Sequence, residues 1–430
     1  MIEGTLKSGT ELIGRKGTKY HVEKLLGSGG QGEVYQISSP TERKALKWYY
    51  PETSTTEQKN TIGNLVEAGS PSSKFLWPED LIISDSNKTF GYVMNLRPDS
   101  YKSIPDLLNR KVNITFPIML KIIYNLANEY DFLHSKGFSY KDISDKNVFF
   151  NPNDGDVLIC DNDNVSINGQ NDSGVYGTMR YMAPEIVRGE ASPSRNTDLY
   201  SLAVLIFSIM YISHPLEGKN EASIHALDDA ANKKLFGTNP IYIFDPKNPE
   251  NRPVKGIHDN AIIYDEIYPT ALKKLFEEAF TKGINNPGAR ITERQWKDMS
   301  LQLMDSIVQC PKCNAPIFYD IETEEQTKCW HCHESIQQPT VITIGRKKLV
   351  LNSNTKIKEH YIELNYEINK NCASVVQNPK NPTMWGIRND SNETWTYIRA
   401  DGTQAMLPPG KTAAISKGAK IKFGKVDCEM

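Results

Sequence analysis

The sequence predicts an α+β chain that closes in a small all-β tail. Three observations predict it. A glycine-rich turn sits between two alternating strands near the N-terminus. Apolar residues recur at helical spacing between residues 119 and 280. Two C-x-x-C pairs then precede short strands separated by Asn, Gly and Pro. At 430 residues and 39% hydrophobic, the chain has material for two or three domains. A net charge of −2 argues against a dedicated nucleic-acid protein.

Residues 22–26 read as the first strand of the turn, and Gly27, Gly29 and Gly32 fit G-x-G-x-x-G, with Gly30 beside them. Without side chains, backbone amides there can approach phosphate oxygens closely. A dinucleotide-binding fold would follow these glycines with a helix. Here residues 33–37 form a second alternating strand, which points to a hairpin folded over a nucleotide. Residues 44–48 make a third strand, and Lys47 on it is placed to reach the α and β phosphates; in isolation it would read as one more surface lysine.

Met119, Ile122, Ile123, Leu126, Tyr130 and Leu133 recur at i, i+3, i+4, i+7, with Gly137 able to stop the helix; they read as core. Leu272, Leu275, Phe276, Ala279 and Phe280 repeat the pattern. Residues 231–265, rich in Asn, Pro and Asp, read as an irregular insertion. The apolar run ending at Ile212 is too short to span a bilayer.

The centre of the chain carries the chemistry. Tyr140-Lys141-Asp142-Ile143-Ser144-Asp145-Lys146-Asn147 puts a carboxylate five residues before an amide, and Asp161-Asn162-Asp163 follows the apolar residues 157–160. Phosphoryl transfer from a nucleotide uses one carboxylate on the acceptor hydroxyl, and an amide plus a second carboxylate to hold magnesium.

The ordered set of glycine hairpin, lysine, Asp142–Asn147 spacing and Asp161 resembles the protein-kinase family over roughly residues 20–304. The resemblance implies a bilobal kinase domain over 1–305, with a small sheet-rich lobe to about Met94 and a mostly helical lobe from Asn95. It also implies roles. Lys47 would be the phosphate lysine, Asp142 the catalytic base, Asn147 the second metal ligand and Asp161 the principal magnesium ligand. Asn95 and Leu96 would belong to a hinge binding the adenine of ATP, with Met94 as gatekeeper. Gly177-Thr178-Met179-Arg180-Tyr181-Met182-Ala183-Pro184-Glu185 looks like the end of an activation segment; Asp198 would anchor the catalytic loop and Arg290 would pair with Glu185.

Several positions depart from the family pattern. Tyr140 and Lys141 stand for the usual histidine and arginine, and a lysine cannot form arginine's bidentate fork on phosphate. Ser173, Tyr176 and Thr178 are candidate phosphosites or plain loop hydroxyls. Ser144 replaces a lysine, with Lys146 as a substitute. Asp163 replaces a glycine, either as added charge near the metals or as a turn residue. The lysine's acidic partner is expected on a helix over 53–69: Glu57 is favoured, with Asn60 as the competing occupant of that slot.

Cys310, Cys313, Cys329 and Cys332 form two C-x-x-C knuckles 15 residues apart, the spacing of a four-thiolate zinc ribbon over 306–338, with disulfides or free thiols as the alternative. His331 and His333 read as bystanders, and Cys160, Cys372 and Cys428 as reduced thiols. From 339 onward short strands predict a β-sandwich, among them residues 360–364. Residues 408–411 and 422–424 resemble parts of forkhead-associated domains; Gly345-Arg346 fits their phosphate-binding strand, but Ile357 stands where a serine is expected. Residues 341–430 carry 14 Lys and Arg against 8 Asp and Glu, an excess that suits a phosphoprotein or acidic partner, or a solvated face. Residues 1–7 lack an apolar signal core, which with the cysteine usage points to a cytoplasmic protein without a membrane partner.

The resemblance thus implies an ATP- and Mg2+-dependent protein kinase acting on Ser/Thr hydroxyls of protein substrates. A nucleotide-binding pseudokinase scaffold and a small-molecule kinase are the alternatives. The domain order and Phe75-Leu76-Trp77-Pro78 look like bacterial kinases encoded beside a phosphatase and a von Willebrand-type protein, which implies stress or phage-related signalling.

Overall fold

The computed structural model describes residues 4–84, 88–167, 177–226, 228–323, 327–352, 355–362, 370–424 and 426–430. The chain divides into two units, Met1–Glu266 with Leu272–Ser300, and Ile267–Ala271 with Leu301–Met430.

The first unit begins with β1 (Glu11–Ile13), β2 (Lys19–Ser28), β3 (Gly32–Ser38), β4 (Arg43–Tyr49), helix α1 (Thr56–Ala68), β5 (Asp80–Ser84) and β6 (Thr89–Asn95). The strands form an antiparallel sheet in the order β1-β2-β3-β4-β6-β5. Period-two alternation divides β4. Leu46 and Trp48 join Tyr35, Ile37 and Val93 on one face, while Ala45 and Tyr49 join Tyr92, Met94 and Ile62 on the other. Helix α1 starts at Thr55, whose side chain accepts from the Gln58 amide, and stops at Gly69 with φ +73°.

Next come β7 (Lys102–Ser103), α2 (Ile104–Leu108), α3 (Phe116–Ser135), β8 (Phe138–Ser139), β9 (Val148–Phe150), β10 (Val157–Ile159), β11 (Ser166–Ile167), α4 (Pro184–Arg188) and α5 (Arg195–Tyr211). Then follow α6 (Lys219–Ala222), α7 (Asp229–Lys233), α8 (Asp259–Ile267), α9 (Thr270–Phe280), α10 (Lys282–Asn285) and α11 (Glu293–Asp305). Helix α5 is buried continuously from Thr197 to Tyr211, so no face of it is turned to water and it is not amphipathic. Its start is secured by a reciprocal capping box between Ser194 and Thr197. The segment 231–265 is irregular only in part: α8 contradicts that expectation, because Ala261 is buried on a helical turn that the surrounding Asn and Pro disguise. No helix among the described residues is long and apolar enough to cross a membrane.

The second unit holds a hairpin of β12 (Ile307–Gln309) and β13 (Pro316–Phe318), then two antiparallel sheets. One runs β15-β14-β23-β22-β19-β20, built from β14 (Thr340–Ile344), β15 (Lys347–Leu351), β19 (Trp395–Ile398), β20 (Gln404–Leu407), β22 (Lys420–Phe423) and β23 (Val426–Glu429). The other runs β16-β17-β18-β21, from β16 (Lys356–Lys358), β17 (Asn371–Asn378), β18 (Asn381–Asn389) and β21 (Thr412–Ala414). Ile342, Leu349 and Ile421 from the first share one core with Ile357, Val375 and Ile387 from the second, as in a sandwich. The described part of the expected strand at 360–364 is not one: residues 359–361 form a 3-10 turn, and 363–364 lie outside the described residues. Gly345-Arg346 lies in the β14–β15 turn, with Gly345 at φ +60° and Arg346 exposed.

Candidate active site and four-cysteine centre

A cleft of about 770 Å³ opens between the small sheet and the helical part of the first unit. Leu26, Gly27, Val34 and Ala45 line it from the sheet, and Phe149 and Cys160 from β9 and the end of β10. Met94, Asn95 and Leu96 close one side, and Lys47 and Asp161 project into it. The volume suits a nucleotide-sized ligand, and the apolar walls suit a base. Leu26, Val34, Ala45 and Phe149 were not picked out from sequence, although alternation back from Lys47 to Ala45, and the cross-strand pairing of Lys47 with Val34, carry the signal.

The glycine turn has a specific steric reason at one position. A Cβ on Gly32 would sit 2.1 Å from the Trp48 carbonyl oxygen, so a side chain there would part β3 from β4. Gly29 and Gly30 stand at the open tip, where the Gly29 amide donates to the Gly32 carbonyl at 2.8 Å.

Lys47 is buried, and its Nζ lies 2.7 Å from Asp161 Oδ1, 2.7 Å from Asp163 Oδ2 and 3.2 Å from Gln31 Oε1. Burial alone would pull the ammonium down, but the charges of Asp163 and Asp161 outweigh it and hold the pKa above the usual lysine value. Burial raises the Asp161 carboxyl, and the neighbouring Asp163 charge pushes the same way. Helix α1 supplies no partner. Glu57 and Asn60 are both exposed, which corrects the expected ion pair: α1 turns Ile62 and Leu65 inward, and one helix face cannot also present residue 57. Asp163 is a fully buried partner of Lys47, not a turn residue at the surface.

Asp142 accepts from the Thr178 amide at 2.7 Å and hydroxyl at 2.8 Å, and from Asn147 Nδ2 at 3.0 Å. Burial raises its pKa, and these hydrogen bonds only partly offset that. Asn147 Nδ2 also donates to the Asp142 carbonyl at 2.9 Å, so the amide's own oxygen is the atom it can offer a cation. The Asn147 carbonyl accepts from the Cys160 amide at 3.0 Å, which ties the 142–147 loop to the 161–163 loop. Thr178, a candidate phosphosite, spends its hydroxyl on Asp142; Ser173 and Tyr176 lie outside the described residues.

Asp198 holds the loop from beneath, accepting from the Tyr140 amide at 2.6 Å and the Lys141 amide at 3.0 Å, with Lys141 at φ +72°. The buried Tyr140 hydroxyl donates to the Cys160 carbonyl. Arg290 Nη2 meets Glu185 at 2.8 Å. His134 bridges Asp198 at 3.0 Å and Glu293 at 2.5 Å, and sequence reasoning missed it. Burial disfavours its charge, yet the two acids win and push its pKa up to about 9. A raised folded pKa contributes stability that is complete below about pH 6.5, the unfolded value, and is lost as pH climbs through about 9. We expect thermal melts of wild type minus His134→Gln to shrink over that window, by about 3 kcal/mol at most. A constant difference would refute the charged bridge.

In the second unit the Sγ atoms of Cys310, Cys313, Cys329 and Cys332 all lie within 4.8 Å of one another. Cys310–Cys332 and Cys313–Cys329 are 3.6 Å apart, far beyond a disulfide bond of about 2.0 Å. Zinc–sulfur bonds of about 2.3 Å in a tetrahedron require edges of about 3.8 Å, so the donor set fits zinc. The two knuckles are built alike. Asn314 donates to the Cys310 carbonyl and His333 to the Cys329 carbonyl, each at 2.9 Å, with φ +58° and +59°. The His331 and Cys332 amides both lie 3.4 Å from Cys329 Sγ, as suits a thiolate.

Comparison with known proteins agrees with this geometry. Residues 20–301 match the family model described as protein kinase domain. The chain is 26% identical over 252 residues to serine/threonine-protein kinase PknD of Chlamydia abortus, covering 48% of this chain and 25% of that protein. It is 22% identical over 212 residues to serine/threonine-protein kinase pkn3 of Myxococcus xanthus, covering 46% and 39%. It is 22% identical over 287 residues to probable serine/threonine-protein kinase CCRP1 of Zea mays, covering 65% and 43%. The chain thus spans less than half the length of each of these relatives. A family match over well over half of the chain, on a two-lobed unit whose cleft holds Lys47 and Asp161, makes this chain a member of the protein kinase family.

Proposed function

We propose that this chain is an ATP-dependent protein kinase that phosphorylates Ser/Thr hydroxyls of protein substrates. The observation that supports it most is the bonded circuit Lys47–Asp161, Cys160–Asn147 and Asn147–Asp142, which links a cation and a carboxylate in the cleft to an amide and a second carboxylate on the adjoining loop. ATP would place its base against Ala45, Phe149 and the 94–96 segment, and its phosphates under the glycine turn beside Lys47. Asn147 and Asp161 would hold magnesium, which when bound neutralises phosphate charge. Asp142 orients the acceptor hydroxyl and takes its proton. Thr178 holds one oxygen of that carboxylate and Asn147 the other, which limits its rotation.

The four cysteines would hold a structural zinc, with all four positions filled by protein and none open for chemistry. The basic β-sandwich would recruit a phosphorylated or acidic protein, and the resemblance to bacterial stress or phage-linked kinases supports a signalling role there. The second reading, a scaffold that binds nucleotide without transfer, is favoured by the Asp161-Asn162-Asp163 sequence in place of an apolar-glycine pair.

Incubation with labelled ATP and magnesium separates the two. Wild type is expected to label itself or an added hydroxyl protein, and Lys47→Met to lose about 100-fold or more of that signal. Nucleotide binding without any labelling in wild type would overturn the protein-kinase reading in favour of the scaffold or of a kinase acting on small molecules.

A further inference from the structure

We propose that Asp163 is the positioning residue of Lys47, and that the phosphate lysine is anchored from the metal loop instead of from helix α1. This rests on the kinase reading and goes beyond it. In protein kinases the lysine must be paired with a glutamate on the helix after it, and positioning of that helix is a means of control. Here both acids of α1, Glu57 and Glu67, are exposed. Asp163 instead lies 2.7 Å from Lys47 Nζ, with its side chain fully buried.

The surroundings are built to keep it there. Tyr49, two residues along β4 from Lys47 and so on the same face, donates its hydroxyl to the oxygen of Asp163 that Lys47 contacts. Asn162 Nδ2 donates to the Leu76 carbonyl at 2.9 Å and the Ile159 carbonyl at 3.0 Å, pinning the loop from the other side. The backbone of that clamp is itself fixed, since the Leu76 amide donates to the Ile159 carbonyl at 2.8 Å. Residues 75–78, notable in the sequence, thus act as the strap over the metal loop. Trp77 Nε1 donates to the Leu65 carbonyl at 2.8 Å, holding the end of α1 to the same strap. Were Asp161 engaged by magnesium, Asp163 would still hold Lys47. The lysine is preset whether or not α1 moves.

The test uses the full-length chain, labelled ATP with magnesium, and a fluorescent ATP analogue for binding. Asp163→Asn should lower kcat about 30- to 100-fold and weaken analogue binding several-fold. Added to Lys47→Met it should cost little more, because the two act as one unit. Tyr49→Phe, a milder change that keeps the ring, should lower kcat about 3- to 10-fold. Glu57→Ala should match wild type in both assays. The proposal is overturned if Asp163→Asn transfers phosphate like wild type, if its effect multiplies with that of Lys47→Met, or if Glu57→Ala is the variant that fails. An inactive wild type that binds the analogue would instead sink the kinase reading; Asp163 would then be judged by the analogue affinities of the same variants.

Discussion

Asp142→Asn is expected to cut phosphoryl transfer by about 10³-fold while leaving nucleotide affinity within a factor of a few. The amide keeps the shape of the side chain, so the Thr178 contacts and the loop position persist on one oxygen, but it cannot accept the acceptor's proton. If Asp142 is the base as proposed, the same carboxylate sets the acid side of the rate profile. Burial raises its pKa, so the deprotonated base is lost at a higher pH than for an ordinary aspartate at about 3.9. kcat/KM for wild type should therefore fall on acidification from above that value, and the residual rate of Asp142→Asn should lack that limb. If Asp142→Asn kept the full rate, or the acid limb survived in it, the base would have to be another group.

Metal removal is the second large effect. Purified protein should carry about one zinc per chain, and Cys313→Ser or a strong chelator should release it. The cost falls on a small core. Val308, Ile317 and Ile336 are buried with Cys310 and Cys329, and this cluster also includes Val350 of the sandwich. Ala315, Tyr319, Ile321 and Val341 pack against it only partly buried, so without metal the ribbon should open and become cleavable by protease between the knuckles. Free energies of about 10 kcal/mol accompany structural zinc binding in small domains, which is more than such a cluster can replace. A metal-free native protein with unchanged protease resistance would contradict the assignment.

Much of the cleft was legible because its chemistry is local in sequence. Asp142 and Asn147 share one loop, Asp161 follows its own strand, and the glycines sit between two strands. The cysteine centre was legible for the same reason, since each knuckle is a four-residue turn. The apolar wall was harder. Phe149 and Leu26 look like ordinary core residues until the two lobes face each other. Strand 360–364 was misjudged because alternation in a short apolar run does not separate a strand from a 3-10 turn. Helix α8 was missed because its Asn, Asp and Pro neighbours outweighed one buried alanine.

Local spacing, and the family resemblance that it carries, pointed to the groups proposed for the chemistry: the glycine hairpin, the lysine, two carboxylates, one amide and four thiols. These are short-range patterns, and each needs only a turn or a strand to work. Pairing over more than a hundred residues lay beyond that range. Lys47 could have met Glu57 a few turns away, and instead it meets Asp163, 116 positions along the chain. Burial of Ile62 and Leu65 decided that, because a helix that turns its apolar face to the core must turn its acids to water.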